Sequence, residues 1–313
     1  MFKRTLLLLA LLFAFQSSLT AQQRGQVPPT QTSPAPPTQP SAAPTPIREE
    51  APVVTKHEIQ VGGKALKYTV TTGMMPIKNV QSGEIEAQMF FMAYTLDGAE
   101  NPAKRPLMFS FNGGPGSASV WLHLGALGPK RVKMQPDGWL PAAPYELETN
   151  EQTWLDQTDL VFIDPVGTGF SRAARPELAA KFIGLNGDLD SVGEFIRMYL
   201  TRHERWASPL FLVGESYGTT RASGLSGLLV DRGIAFNGVL LISTIMNFQT
   251  ARFAEGNDSA FVLMLPSYTA TAWYHKKLPA DLQKLPLRKV LDEAEKWTIS
   301  EYSVALAKAG RLT

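Results

Sequence analysis

Pro209-Leu-Phe-Leu-Val213-Gly214-Glu215-Ser216-Tyr217-Gly218 is the stretch on which the fold turns. Leu210 to Val213 is a short apolar run, read as a buried strand, and Thr219 to Val230 carries a helical pattern. Between them a serine stands in G-x-S-x-G spacing. In a strand–turn–helix this tight, the residues two before and two after the serine must lack bulk, and Gly214 and Gly218 meet that need. Ser216 is then expected in a strained conformation, its hydroxyl above the sheet edge. The following helix aims its first backbone donors at the same point, and the N–H of Tyr217 supplies half of an oxyanion hole. The bland alternative is a glycine-bounded turn with an inert serine; the flanking strand and helix argue against it.

The neighbouring pattern agrees. Arg105-Pro-Leu-Met-Phe-Ser-Phe111 is an apolar run ending in Asn112-Gly113-Gly114-Pro115-Gly116, and Asp159 to Asp164 is another ending in Pro165-Val-Gly-Thr-Gly169. Leu189, Val192, Phe195, Ile196 and Tyr199 recur at helical spacing, and Gly238 to Ile242 is a further strand. Strands alternating with helices predict a parallel sheet covered on both faces, with the glycine loops at its carboxyl edge. Upstream, Glu58–Val61 and Leu66–Val70 around Gly62-Gly63 predict a hairpin, and Glu84 to Leu96 a third antiparallel strand.

Three motifs in fixed order carry a resemblance: Phe111-Asn-Gly-Gly-Pro-Gly116, Ile163-Asp-Pro-Val-Gly-Thr-Gly-Phe-Ser171 and Gly214-Glu-Ser-Tyr-Gly218. From about Lys104 to Thr244 the chain resembles the serine carboxypeptidases, α/β-hydrolases that remove C-terminal residues from peptides. The resemblance implies an α/β-hydrolase core, a mostly parallel central sheet with helices on both faces, N-terminal antiparallel strands and part of a helical cap. It implies Ser216 as nucleophile, the N–H groups of Gly114 and Tyr217 as oxyanion hole, and Asn112, Gly113 and Glu215 as the site for the substrate's terminal carboxylate. Physical chemistry supports that last group independently: the Asn112 amide and the Gly113 N–H are donors, and a Glu215 carboxyl helps only when protonated. A glutamate that merely bonds its neighbours is the alternative.

Two departures stand out. Ala126, in Leu124-Gly-Ala-Leu-Gly-Pro129, occupies the place where many relatives carry a second glutamate, which puts an acid optimum in question. And a serine hydroxyl needs a base, itself oriented by an acid. Only His275 follows Ser216, in Trp273-Tyr-His-Lys276, and it reads as a cap residue. The expectation is a fragment or truncated product that lacks both triad partners. His123 and His203 read as structural, the latter as a cation at a helix end, and Asp164 and Asp188 as turn and helix-start residues.

Composition bounds the rest. The chain has 313 residues, 44% hydrophobic and 19% charged, with 30 Lys and Arg against 28 Asp and Glu. Setting aside the leader cations Lys3 and Arg4 leaves the charges balanced, which argues against a nucleic-acid partner. There is no cysteine, so thiolate metal sites, disulfides and a cysteine nucleophile are excluded. No residue cluster has metal-ligand spacing and no glycine loop carries the Lys-Ser/Thr of a phosphate site, so neither metal nor cofactor is expected. Residues 1–21 read as a cleaved export signal, 22–52 as a Pro-rich linker, 53–250 as the core and 251–313 as the start of the cap. The expected protein is exported, to periplasm or medium, with no stable membrane span after cleavage. Its expected substrates are peptides with a free C-terminus, handled through an acyl-enzyme. An esterase or acyltransferase on the same fold, and an inactive peptide-binding remnant, are the alternatives.

Overall fold

The computed structural model describes residues 48–308. The expected export signal and all but the end of the expected linker lie outside the described residues. The chain divides into two compact units, which here comprise residues 48–246 and 247–308.

The larger unit is built on one mixed sheet. Strands β1 (Val53–Val61), β2 (Lys64–Lys78) and β3 (Ile85–Leu96) form an antiparallel meander, and the two-residue turn Gly62-Gly63 has positive φ at both positions, as a tight hairpin needs. Next come β4 (Leu107–Phe111), the small hairpin β5 (Lys130–Val132) and β6 (Leu147–Thr149), β7 (Asp159–Ile163), the short β8 (Arg172–Ala173), β9 (Leu210–Glu215) and β10 (Gly238–Ile242). Their order across the sheet is β1-β2-β3-β7-β4-β9-β10, with β8 beside β3. The β7-β4-β9-β10 half is parallel, and β3 joins it antiparallel through β7. This is the α/β architecture predicted from the alternation of strands and helices.

Every residue of β4 and of β7 is buried, which is why both read as mainly apolar runs, with Ser110 and Asp159 as the polar members, rather than as alternating ones. One face of the sheet is covered by α2 (Leu185–Arg202) and α3 (Tyr217–Val230). Val192, Phe195, Ile196 and Tyr199 of α2, and Ala222, Leu225 and Leu229 of α3, pack on Phe91, Leu107, Phe109, Ile163 and Leu212. Each such large side chain, fully buried, is worth about 1.5–3 kcal/mol of transfer free energy. The opposite face, with Met108, Leu160, Phe162 and Val213, is covered by Leu122 of the short helix α1 (Val120–Leu122), by Leu127 in the wider turn after it, and by Leu155. At the start of β7 the carboxylate of Asp159 receives Arg105 Nε at 2.8 Å and Arg205 at 2.7 Å, tying three segments together beneath the sheet.

The smaller unit is helical: α4 (Ser259–Tyr274), α5 (Ala280–Gln283), α6 (Leu287–Trp297) and α7 (Ser303–Lys308). Leu282, Val290, Ala294 and Trp297 are buried, and Trp273 Nε1 donates to the Leu285 carbonyl at 3.0 Å. None of the helices among the described residues is long and apolar enough to cross a membrane.

Candidate active site

Ser216 stands between β9 and α3 at φ 58°, ψ −125°, a backbone region that costs a non-glycine residue about 1–3 kcal/mol. The surroundings enforce it. Ser216 N donates to the Ile242 carbonyl at 2.9 Å, extending the β9–β10 ladder by one residue. Its own carbonyl accepts from Thr219 N at 2.9 Å and from Thr219 Oγ1 at 2.7 Å, closing the first turn of α3. Ile245 N then donates back to Thr219 Oγ1 at 2.9 Å, so the chain after β10 is fastened to the elbow. Strain at one residue persists because several bonds on both sides determine it.

The glycine loop after β4 lies directly against this turn. A Cβ on Gly113 would overlap the N of Tyr217 and stand 2.7 Å from the Glu215 carbonyl and 2.8 Å from Gly218 N. Only glycine permits that approach. Gly114 follows at φ 104°, again a conformation that favours glycine, and is exposed. Asn112 is 1% exposed and bridges the two motifs: its Oδ1 accepts from Leu122 N at 2.9 Å and its Nδ2 donates to Glu215 Oε2 at 3.0 Å. The fold thus brings together Asn112, Gly113, Glu215 and Tyr217, which lie up to 105 positions apart in sequence, at the carboxyl edge of β4 and β9. Ala126 lies in the wide turn after α1, where its carbonyl accepts from Asn150 Nδ2 at 2.7 Å.

The structure also reveals a residue the sequence reading passed over. Arg221, 1% exposed, donates from Nε to both carboxylate oxygens of Asp188, at 3.0 and 2.8 Å, and from a terminal nitrogen to the Asn112 carbonyl at 2.7 Å. Its guanidinium stacks 5.1 Å from the ring centres of both Phe111 and Tyr217. The Tyr217 hydroxyl bonds the same Asp188 carboxylate; burial first, then that anion, push its pKa up to about 12. A signal was present in the sequence: Arg221 shares a helical face with Leu225 and Leu229, where a lone charge needs a buried partner. Asp188, read as a helix-start residue, is that partner.

Asp164, expected in a turn, is one: its Oδ1 accepts from Ser119 N at 2.8 Å, pinning the segment after the glycine loop to the loop after β7. Burial raises its pKa, opposed by the N–H groups of Ser119 and Phe170. Ser216 Oγ makes no hydrogen bond among the described residues, and each histidine of the 48–246 unit is engaged elsewhere. His57 bonds Thr55, His123 bonds the Tyr94 hydroxyl and stacks on Phe162 at 4.4 Å, and His203 stacks on Tyr199 at 4.2 Å. The expected cationic helix end is not what His203 provides. Burial, then Arg202 and Arg205, hold its pKa below the ordinary value and favour the neutral ring.

Burial likewise lowers the pKa of His123 from 6.5 to about 4. A folded-state pKa below the unfolded one means the unfolded chain takes up the proton first. The stabilisation from neutral His123 is therefore complete above pH 6.5 and is lost as pH falls towards 4. Melting temperatures measured at pH 7 and 4.5 should fall further for the wild type than for His123→Gln; equal falls would contradict this assignment.

The family model for serine carboxypeptidase matches residues 65–276. Among curated relatives, serine carboxypeptidase-like 13 of Arabidopsis thaliana is 31% identical over 155 residues, covering 49% of this chain and 33% of that protein. Serine carboxypeptidase-like 7 of the same plant is 33% identical over 137 residues, 43% of this chain and 30% of that protein. The chain spans about a third of the length of these curated relatives. The crystal structure of the prohormone-processing carboxypeptidase KEX1(delta)p from Saccharomyces cerevisiae superposes with a TM-score of 0.48 at 24% identity, covering 77% of this chain and 48% of that one.

Proposed function

The chain belongs to the serine carboxypeptidase family, and from that membership we propose that Ser216 is the nucleophile of a serine-type carboxypeptidase site that recognises peptides by their free C-terminal carboxylate. The observation that carries the reading is the strained backbone of Ser216 at a strand-to-helix turn packed against the Asn112–Gly114 loop. In this reading Ser216 Oγ attacks the carbonyl carbon of the last peptide bond while a base accepts its proton. The N–H groups of Gly114 and Tyr217 receive the oxyanion, the C-terminal amino acid leaves with a proton, and water releases the acyl group. The chemistry of this reading calls for neither a metal nor a cofactor. An exported protein with peptide substrates fits the apolar leader read in the sequence.

Asn112, Gly113 and Glu215 hold the substrate carboxylate. Asn112 keeps one Nδ2 hydrogen beyond the one given to Glu215, and the Gly113 N–H is a second donor. Glu215 becomes a third only when protonated; ionised, it repels the ligand.

Binding of an N-blocked dipeptide and of its C-terminal amide to the 313-residue chain, at pH 5 and pH 7.5, tests this without requiring turnover. The free acid should bind better, and its advantage should shrink as pH rises. Glu215→Gln keeps a donor at any pH, so it should flatten that profile and strengthen acid binding at pH 7.5 roughly tenfold, the worth of one charge-assisted hydrogen bond. An unchanged pH profile would leave Glu215 a structural residue. Equal binding of acid and amide by the wild type would shift the reading to an esterase or acyltransferase.

A further inference from the structure

Arg221 is a full cation, 1% exposed, on the buried face of α3. Its charge is matched by Asp188 on α2, and its remaining hydrogen bond goes not to a side chain but to a backbone carbonyl, that of Asn112. That carbonyl belongs to the peptide unit whose other end is the N–H of Gly113. The cis bonds among the described residues are Gly114-Pro115 and Ala143-Pro144, so the Asn112–Gly113 unit is trans. In a trans peptide the C=O and N–H point in opposite directions across a rigid plane. A guanidinium that draws the carbonyl inward therefore turns the N–H outward. The Gly113 N–H makes no loop, turn or cap hydrogen bond among the described residues, although Gly113 itself is buried. That N–H is held in its orientation by the charge-assisted bond on the far side of its own peptide plane.

We propose that Arg221 is a positioning residue for carboxylate recognition: by holding the Asn112 carbonyl, with Asp188 holding Arg221, it aims the Gly113 N–H at the C-terminal carboxylate of the substrate. The inference rests on the carboxypeptidase reading of the site, and it assigns the orientation of the donor to a helix that does not itself touch the ligand. The planar fork of the guanidinium is essential, because it reaches Asp188 and the Asn112 carbonyl together; a lysine ammonium at that position is a single compact charge without that geometry.

The measured quantity is the ratio of affinities for an N-blocked dipeptide acid and its amide. Arg221→Lys and Asp188→Asn should each lower that ratio about tenfold relative to wild type, with the folded state verified by thermal melting. A role confined to stability would weaken acid and amide binding in parallel and leave the ratio unchanged, and that result overturns the proposal. A second measurement needs no substitution. In the ¹⁵N-labelled wild-type chain the Gly113 amide proton should move downfield on adding the dipeptide acid and stay in place with the amide; an unresponsive Gly113 amide overturns the proposal equally. A wild type that binds acid and amide alike refutes the parent reading, whereas an acid preference that survives both variants refutes only the part given to Arg221.

Discussion

A fluorophosphonate probe is expected to label Ser216 of the 313-residue chain slowly, about a hundred- to ten-thousand-fold more slowly than a serine hydrolase whose nucleophile has its base in place. The reaction forms a bond from Ser216 Oγ to phosphorus and expels fluoride, and the hydroxyl proton must go to an acceptor. The strand-to-helix turn at Ser216 is formed and the Asn112–Gly114 loop lies against it, yet Ser216 Oγ has no hydrogen-bond partner among the described residues. His57, His123 and His203 are held by Thr55, Tyr94 and Tyr199. Burial also drives the His123 pKa down to about 4, which makes it a weak proton acceptor at neutral pH. Triad members act as a unit, so a serine with no base at hydrogen-bonding distance is expected to react at a small fraction of the full rate. Labelling is followed by mass spectrometry of the Ser216 peptide, with Ser216→Ala as the blank. Rapid stoichiometric labelling would mean that one of the chain's own histidines reaches the serine, and the account of proton transfer would have to be rebuilt around it.

Gly214→Ala is expected to cost about 4 kcal/mol or more, a size seen only with a specific steric mechanism. The mechanism is visible. A Cβ at position 214 would overlap the carbonyl group of Gly218 and lie 2.9 Å from Thr219 N. These are backbone atoms of the first turn of α3, already fixed by the bonds of Thr219 to Ser216 and Ile245, so no side chain can swing aside. For a unit of this size the loss corresponds to a fall of about 8–16 °C in Tm. Gly227→Ala supplies the contrast in the same helix. Nothing lies within 4 Å of a Cβ there and the residue is exposed, so this change should stabilise by about 0.5–1 kcal/mol. A Gly214→Ala variant that melts within 2 °C of the wild type would show that the elbow relaxes in a way the packing does not suggest.

Much of the fold was legible before any coordinates. The mainly apolar runs at 107–111 and 159–163 announced strands buried on both faces, and the Gly62-Gly63 turn between alternating stretches announced the hairpin. Helix spans were read short at their ends: the pattern over 188–199 became Leu185–Arg202, because terminal turns carry few buried residues and leave little periodic signal. Strand β2 runs eight residues beyond the predicted Val70, through Gly73 and Pro76, residues that local propensity places outside strands but that pairing with β3 holds in the sheet.

The amino-acid sequence by itself determined the local chemistry. Glycines stand where a backbone must come close, a serine stands between them, and a strand and a helix stand on either side, all within reach of a few residues' steric rules. The tertiary structure alone decided which distant groups meet. The order β3-β7-β4-β9-β10 sets the glycine loop of β4 beside the elbow of β9, so that Asn112 reaches Glu215 across 103 positions. It also buries Arg221 between Asp188, 33 positions away, and the Asn112 carbonyl, 109 positions away. It gives His123 to Tyr94 rather than to Ser216. The physical reason is one of range. Backbone sterics and side-chain periodicity act over one or two turns of chain, whereas the partner of a buried charge or an imidazole is fixed only when packed elements exclude water and leave it a single neighbour.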